Sequence, residues 1–494
     1  MLPRRAARWR RPGRARRPRR VKAVLKARVL LPPRRLRRRS ARPGRRAERS
    51  SGGRAFRWLP SRQPAGANEG KAATDAATDY VTKRPTPARR APAFFIGVLV
   101  TLSLAGLAAT VRLAAAAPPA GEETRALWVV RHAISTPGRV DQVVEVASQL
   151  NINTLLVQVR GRGDAYFRSD LTPRAEDLGA TSPDFDPLER IIRRAHAAGL
   201  EVQAWINVYL VWSAGAPPRS PLHVVNAHPE WISVRADGQR LVEMLPEDFE
   251  DQKLEGMYLA PGNPEVRRHL REIVREIVTR YDVDGIHLDY VRYPEPTVGY
   301  DAATRTAFER EFGVDPMQID HPDSTFLEVI GADRIPDLRA RWIQWKKDQI
   351  TDLVRDLRHD LDISGRSIKL TAAVIADQVA ALNRYEQDWP TWLREGIIDA
   401  AIPMCYGTST SVVERQIGAA LSIPTERHVY AGIAIYNESA RDAAEKIRRA
   451  RRMGVDGIAL FSFDALIGRA GYMRQMKQWV LRDPVQPTRM RWRG

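Results

Sequence analysis

Asp284-Gly-Ile-His-Leu-Asp289-Tyr-Val-Arg292-Tyr-Pro294 reads as a short buried strand that carries three groups such strands rarely hold. Gly285 opens it, Ile286, Leu288 and Val291 give it β character, and Pro294 stops it. His287, Asp289 and Arg292 are the exceptions. A lone buried carboxylate is costly unless it is paired or reaches a wet cleft. Asp289 falls near the C-terminal end of the strand, which is the active-site rim in a (β/α)8 barrel. The carboxylate is therefore either catalytic or an ion pair with Arg292 or His287 that pins a loop.

Outward from this stretch the chain repeats one pattern. Short apolar strands are expected at 125–131, 153–160, 201–209, 285–293, 369–375, 400–406, 428–436 and 457–464. Amphipathic helices are expected at 139–150, 187–198, 264–281, 338–361, 387–395, 411–421, 440–453 and 470–481. Eight strands, each followed by a helix, favour a TIM barrel over an open sheet. Gly199, Gly396 and Gly454 stand where helices end before the next strand.

Two connections are long, 210–263 and 295–337. Loops of that size in a compact domain tend to be functional. Both come after strands, so both belong to the C-terminal face, where they are expected to wall a cleft beside strands 3 and 4. The first contains an expected hairpin at 231–242 with Asp237-Gly238 as its turn, and the second a short helix near 302–312.

The net charge of +21 over 494 residues is unevenly spread. Residues 1–90 hold 30 Lys and Arg against 4 Asp and Glu, and the remainder holds 49 against 54. The folded part is therefore mildly acidic, and whole-chain charge is no argument for nucleic acid. The head is rich in Arg, Pro, Ala and Gly and is expected to be disordered. It reads either as a basic arm or as upstream sequence translated in frame from a mis-assigned start. The stretch immediately after it favours the second. Lys83, Arg84, Arg89 and Arg90 precede an uncharged run at 91–111, and small residues at 114–117 come next. That is the order of a secretory signal, and the run is also long enough for a membrane anchor. The barrel is expected at 121–482, outside the cytoplasm, with 483–494 as a tail. Cys405, the single cysteine, excludes an internal disulfide and reads as buried filler.

Polar groups gather at the expected strand ends. Arg131 and His132 end strand 1, Gln158 and Arg160 share a face of strand 2, and Asp164 lies just beyond. Gln203, Trp205, Asn207 and Tyr209 share a face of strand 3, as His287 and Asp289 do on strand 4. Met404 and Tyr406 share one on strand 6, and Ser462 and Asp464 on strand 8. Any one of these is more often a satisfied core group, yet their accumulation at one rim points to a substrate with many hydroxyls. Trp212, Trp231, Trp389 and Trp392 in or near the same loops suit sugar rings. No His-x-His, His-Glu-x-x-His, phosphate-cradling glycine loop or Gly-x-Ser-x-Gly elbow occurs, so neither a metal nor a cofactor is expected. Glycoside hydrolysis needs two carboxyls. Asp289 is the expected nucleophile or base. Asp377, just past strand 5, is the leading partner, with Asp164, Glu243 and Asp464 left open.

The segments Arg125-Ala-Leu-Trp-Val, Gln158-Val-Arg-Gly-Arg-Gly-Asp-Ala-Tyr, Ala204-Trp-Ile-Asn, His228-Pro-Glu-Trp, Leu259-Ala-Pro-Gly-Asn-Pro-Glu-Val-Arg, Asp284–Pro294 and Pro403-Met-Cys-Tyr occur in that order. Together they resemble the bacterial glycosyl hydrolase-like 10 family of TIM-barrel glycosidases. That family includes secreted or periplasmic enzymes acting on peptidoglycan glycan strands stripped of peptides. The resemblance covers residues 124–464 and implies a glycoside hydrolase with Asp289 in the catalytic role. Some relatives carry Asp-Asp where this chain has Asp289-Tyr290.

The expected substrate-binding set is Arg160, Asp164, Trp205, Asn207, Asn263, Arg267, His287, Arg292, Tyr406 and Asp464, with Asn263 and Arg267 also placed to cap and brace the helix at Pro264. The expected partner is a polysaccharide, with no nucleic acid, no protein partner and at most a single membrane anchor. The protein is expected to be secreted, or anchored to the outer face of the cytoplasmic membrane. A carbohydrate-binding barrel without catalysis is the alternative.

Overall fold

The computed structural model describes residues 121–213 and 215–493. The basic head expected at 1–90 and the signal or anchor segment expected at 91–120 lie outside the described residues.

Eight parallel strands close into a barrel. We number the barrel strands β1 (Thr124–Val129), β2 (Thr154–Arg160), β3 (Glu201–Asn207), β4 (Gly285–Asp289), β5 (Lys369–Val374), β6 (Ala400–Cys405), β7 (His428–Ala434) and β8 (Gly457–Phe461). Each pairs with its sequence neighbours, and β1 closes on β8 through Thr124 opposite Gly457. All eight lie at the positions expected from sequence, with a helical layer outside. This is a (β/α)8 barrel.

The strands are buried on both faces, and the two faces hold different cores. One face packs Leu127, Val157, Val202 and Ile286 into the large strand–helix core. The other packs Trp128, Leu156, Trp205, Ile402 and Tyr430 into a smaller cluster. Alternation along each strand separates the two. Gly432 is required there: a Cβ on it would lie 2.6 Å from the Pro403 carbonyl oxygen and 3.2 Å from the Trp128 ring.

Strand β4 ends four residues earlier than its sequence suggests. Tyr290 turns the chain with φ +50°, a left-handed conformation a tyrosine rarely adopts. The ladder with β3 continues through backbone bonds from Val208 to Asp289 and from Tyr209 to Tyr290. After β5 the expected single helix is two, Gln378–Arg384 and Trp389–Arg394.

The long loops after β3 and β4 are stitched to each other. Arg235 bridges Val298, Ala236 N–H donates to Thr297, and Gly299 N–H donates to Val234. The expected hairpin at 231–242 is reduced to a tight turn at Gly238 with one bridge, Val234 to Arg240. The first loop also contributes a two-stranded sheet, Leu210–Trp212 against Met257–Tyr258. The second carries the expected helix, Ala302–Phe312, capped by Asp301, and its own aromatic core of Tyr300, Phe308, Trp342 and Trp345.

The tail crosses the N-terminal end of the barrel. Thr488 bonds Thr124, Gln486 bonds Gly121 and Glu123, and both Trp492 and Arg493 bond Asp399. Among the described residues no helix is long and apolar enough to cross a membrane.

Candidate active site

Asp289 closes β4 at the barrel rim and is 7% exposed. Its Oδ1 accepts the backbone N–H of Tyr290 at 2.7 Å, a bond the left-handed turn at Tyr290 allows. Arg292 Nη1 stands 4.0 Å from the same oxygen. The indole N–H of Trp205 lies near the carboxylate, short of a well-formed hydrogen bond, and favours its charge. Burial outweighs these three contacts and pushes the Asp289 carboxyl up to about 6. Glu255 adds to the rise. A carboxyl poised there can hold and release a proton near neutrality.

Arg292 is the second organising group. It is almost fully buried, and its Nη2 donates to Glu255 Oε1 at 3.1 Å. Its guanidinium lies over the Tyr290 ring, 4.2 Å from the centroid. Burial alone would weaken its charge, but Tyr258, Glu255, Tyr290 and Asp289 hold it above its ordinary value. Glu255 also accepts the Tyr258 hydroxyl at 3.0 Å and remains one-third exposed.

Tyr406, beyond the end of β6, is close enough to Asp289 for that charge, after burial, to raise its phenol. It packs with Trp128, Phe461 and Tyr436 in an aromatic wall. Asn207 pairs with Asp289 across the β3–β4 ladder. Its amide bonds on both sides: Oδ1 accepts from Gln158 at 3.1 Å and Nδ2 donates to the Gly161 carbonyl at 2.9 Å. Asn207 therefore fixes the loop after β2 against β4. The structure brings Asp289, Trp205, Asn207, Arg292 and Tyr406 to one corner of the rim.

The other expected residues are placed differently. His287 is fully buried, a core histidine rather than a substrate contact. The Trp128 indole donates to its Nε2 at 3.0 Å, so the proton sits on Nδ1, which faces the Thr371 hydroxyl at 2.9 Å. Thr371 in turn donates to Gln203 at 2.7 Å. Burial pushes this imidazole down to about 3, so it is neutral. Arg160 is also fully buried, pushed down to about 10 by burial, and donates to the carbonyls of Asn207 at 2.6 Å and Val208 at 3.4 Å. It braces the end of β3.

Asp164 is buried in the turn after β2, where it accepts the Arg162 N–H at 3.2 Å and burial raises its carboxyl. Asp464 is exposed and pairs with His132 at 2.9 Å, linking the ends of β8 and β1. Asn263 caps the helix Pro264–Arg280, accepting from Glu265 N–H at 2.9 Å. Arg267, on that helix, pairs with Asp356 at 2.7 Å and Asp352 at 3.5 Å on the helix Ile335–Ile363. Capping and bracing account for both.

Asp377 is placed as a helix cap. It is exposed and spends its carboxylate on the N–H of Ala380, 2.9 Å away, as the cap of Gln378–Arg384. A helix that starts at this point needs an acceptor for its free N–H groups, and Asp377 supplies it. Glu243, also left open, is exposed and pairs with Arg240 at 2.8 Å. The carboxyl that shares a guanidinium with Asp289 is Glu255, which sequence reading missed. The signal was Glu255-Gly256 in the long third loop. Gly256 has φ +146°, and a Cβ on it would lie 2.0 Å from the Trp212 carbonyl oxygen. That position accepts glycine alone and holds Glu255 on a fixed backbone.

Among the described residues no group of three or more His, Cys, Asp or Glu is arranged to hold a metal ion. Cys405 is buried, and burial pushes its thiol up to about 12, away from nucleophilic use.

Comparison with known proteins adds four findings. The glycosyl hydrolase-like 10 family profile matches residues 123–446. Glycosyl hydrolase YngK of Bacillus subtilis (strain 168) is 23% identical over 316 residues, 58% of this chain and 54% of that protein. Glycosyl hydrolase DigH of Escherichia coli (strain K12) is 25% identical over 321 residues, 58% of this chain and 63% of that protein. The chain thus spans less than two thirds of the length of either relative. Among solved structures, the PgaB (BpsB) glycoside hydrolase domain from Bordetella bronchiseptica has a TM-score of 0.54 at 16% identity, over 72% of this chain and 99% of that one. That likeness is one of fold.

Proposed function

The chain belongs to the glycosyl hydrolase-like 10 family, and from that premise we propose that it is an exported glycoside hydrolase acting on peptidoglycan glycan strands freed of their peptides. The observation that carries the reading is Asp289: a nearly buried carboxyl at the mouth of the barrel, raised to about 6 and set beside an arginine. A glycosidase needs one carboxyl that keeps its proton near neutral pH and hands it to the departing oxygen. Burial gives Asp289 that property, so proton donor suits it better than the nucleophile or base expected from sequence. Tyr406, half-buried beside it, offers a ring face and a hydroxyl to a sugar, and Trp205, packed in the core, backs the carboxylate. Two relatives that bear the name glycosyl hydrolase support the reaction class. The family resemblance supports the substrate, and the uncharged run at 91–111 supports export.

The test uses the full chain and its Asp289→Asn variant on purified peptidoglycan, intact and stripped of peptides. Soluble saccharides are followed by mass spectrometry. Release by the wild type alone, greater from stripped strands, is the expected result. Strand binding by both proteins with release by neither would replace the hydrolase with a carbohydrate-binding barrel.

A further inference from the structure

We propose that Glu255 is the second catalytic carboxyl, the base that activates water against the sugar protonated by Asp289, and that Arg292 serves as counter-ion to each carboxyl in turn. This rests on the glycosidase reading above and names the partner it left open.

One guanidinium is shared by two carboxyls. Arg292 Nη2 donates to Glu255 at 3.1 Å, while Nη1 stands 4.0 Å from Asp289 without a hydrogen bond. Arg292 is 4% exposed, so a donor left idle there is costly. Asp289 offers it a partner whenever that carboxyl is ionised. The two carboxyls also differ in surroundings as an acid and a base should. The Asp289 side chain is 10% exposed, and burial favours its neutral form. The Glu255 side chain is 33% exposed, ion-paired to Arg292 and hydrogen-bonded by Tyr258.

The step balances. The Asp289 carboxyl proton passes to the glycosidic oxygen as the bond to the anomeric carbon breaks, and the bonding pair leaves with that oxygen. A water oxygen bonds the anomeric carbon, and the proton it sheds goes to Glu255. Asp289 becomes anionic as Glu255 becomes neutral, so the net charge around Arg292 is constant. The guanidinium changes partners without moving far, which is the preorganised electrostatics that lowers such barriers. Exchange with solvent returns the proton to Asp289. Fixed backbone at Gly256 keeps the base in register.

The experiment measures kcat and KM of the full-length wild type, Glu255→Gln and Glu255→Asp on peptide-free glycan strands from pH 4 to 8, with thermal melting of each. Glu255→Gln is expected to lower kcat by roughly 100-fold or more with KM little changed, as loss of a general base does. The acidic limb of its kcat/KM profile should vanish, a change that a merely structural role would not produce. Should Glu255→Gln melt far below the wild type, Glu255→Asp decides, by a fall of roughly tenfold or more in kcat with a displaced acidic limb. Wild-type cleavage with kcat of either folded variant within about threefold of it would overturn the assignment of Glu255 and leave the hydrolase reading standing. Absence of cleavage by the wild type itself would remove both.

Discussion

The indole N–H of Trp128 donates to Nε2 of His287 across 3.0 Å in the centre of the barrel. An indole can only donate, so this bond fixes the tautomer of the imidazole and keeps it uncharged. A histidine two residues before Asp289 is thereby withdrawn from acid–base work. Nitrogen NMR should show one neutral form, protonated on Nδ1, throughout pH 5 to 8, because burial pushes the group down to about 3. Trp128→Phe strands Nε2 in a dry interior and should cost about 2–3 kcal/mol in urea unfolding. A titration of His287 near pH 6.5 would contradict this.

Asp289 should make the fold pH-sensitive in a definite direction. Its ordinary carboxyl value of 3.8 rises to about 6 on folding, through burial first. Below 3.8 the group is neutral both folded and unfolded, and folding has its full stability. As pH rises through 6 the folded protein must hold a buried charge, and up to about 3 kcal/mol is lost. Asp289→Asn carries no such charge. It should unfold at higher urea than the wild type at pH 7.5, with the gap closing toward pH 4. A gap independent of pH would show that burial does not perturb this carboxyl.

Asp377 and Asp289 should separate cleanly by mutation. Asp377→Ala removes a helix cap, so about 1 kcal/mol of stability should go while kcat on glycan strands stays within about twofold of the wild type. A kcat loss like that of Asp289→Asn would restore Asp377 to the chemistry.

Gly256→Ala tests the support of Glu255. The added methyl meets the Trp212 carbonyl oxygen, and φ +146° is closed to alanine. The Leu210–Trp212 and Met257–Tyr258 pair should loosen, with roughly a tenfold fall in kcat while the barrel still melts cooperatively. Hydrogen exchange at Tyr258 and Leu259 reports the loosening. Unchanged exchange and unchanged kcat would mean that the backbone there is not what places Glu255.

How much of the fold and site was legible in the sequence depends on how local each cause is. The eight strands were readable because each is an apolar run bounded by helix-ending glycines or turn residues. Asp289 was readable because a carboxylate in such a run needs an explanation. Asp377 was legible as a position just past β5 but not as the cap of the helix starting at Gln378, a bond that depends on where that helix begins. Glu255 was not legible. It lies in a loop whose path is set by a strand of two residues, Met257–Tyr258, and by contact with Trp212, more than forty positions upstream. The end of β4 was hidden for a related reason. Tyr290 has the β propensity of a strand residue, yet it takes a left-handed turn with its N–H on Asp289 Oδ1.

The crossing of the barrel floor by residues 486–493 has a directional consequence. Gly121 is bonded to Gln486 on that floor, and β1 rises from it. The same segment reaches Asp399 at the foot of β6, so one stretch of backbone clamps two strands that are not neighbours in the ring, on the side of the barrel away from Asp289.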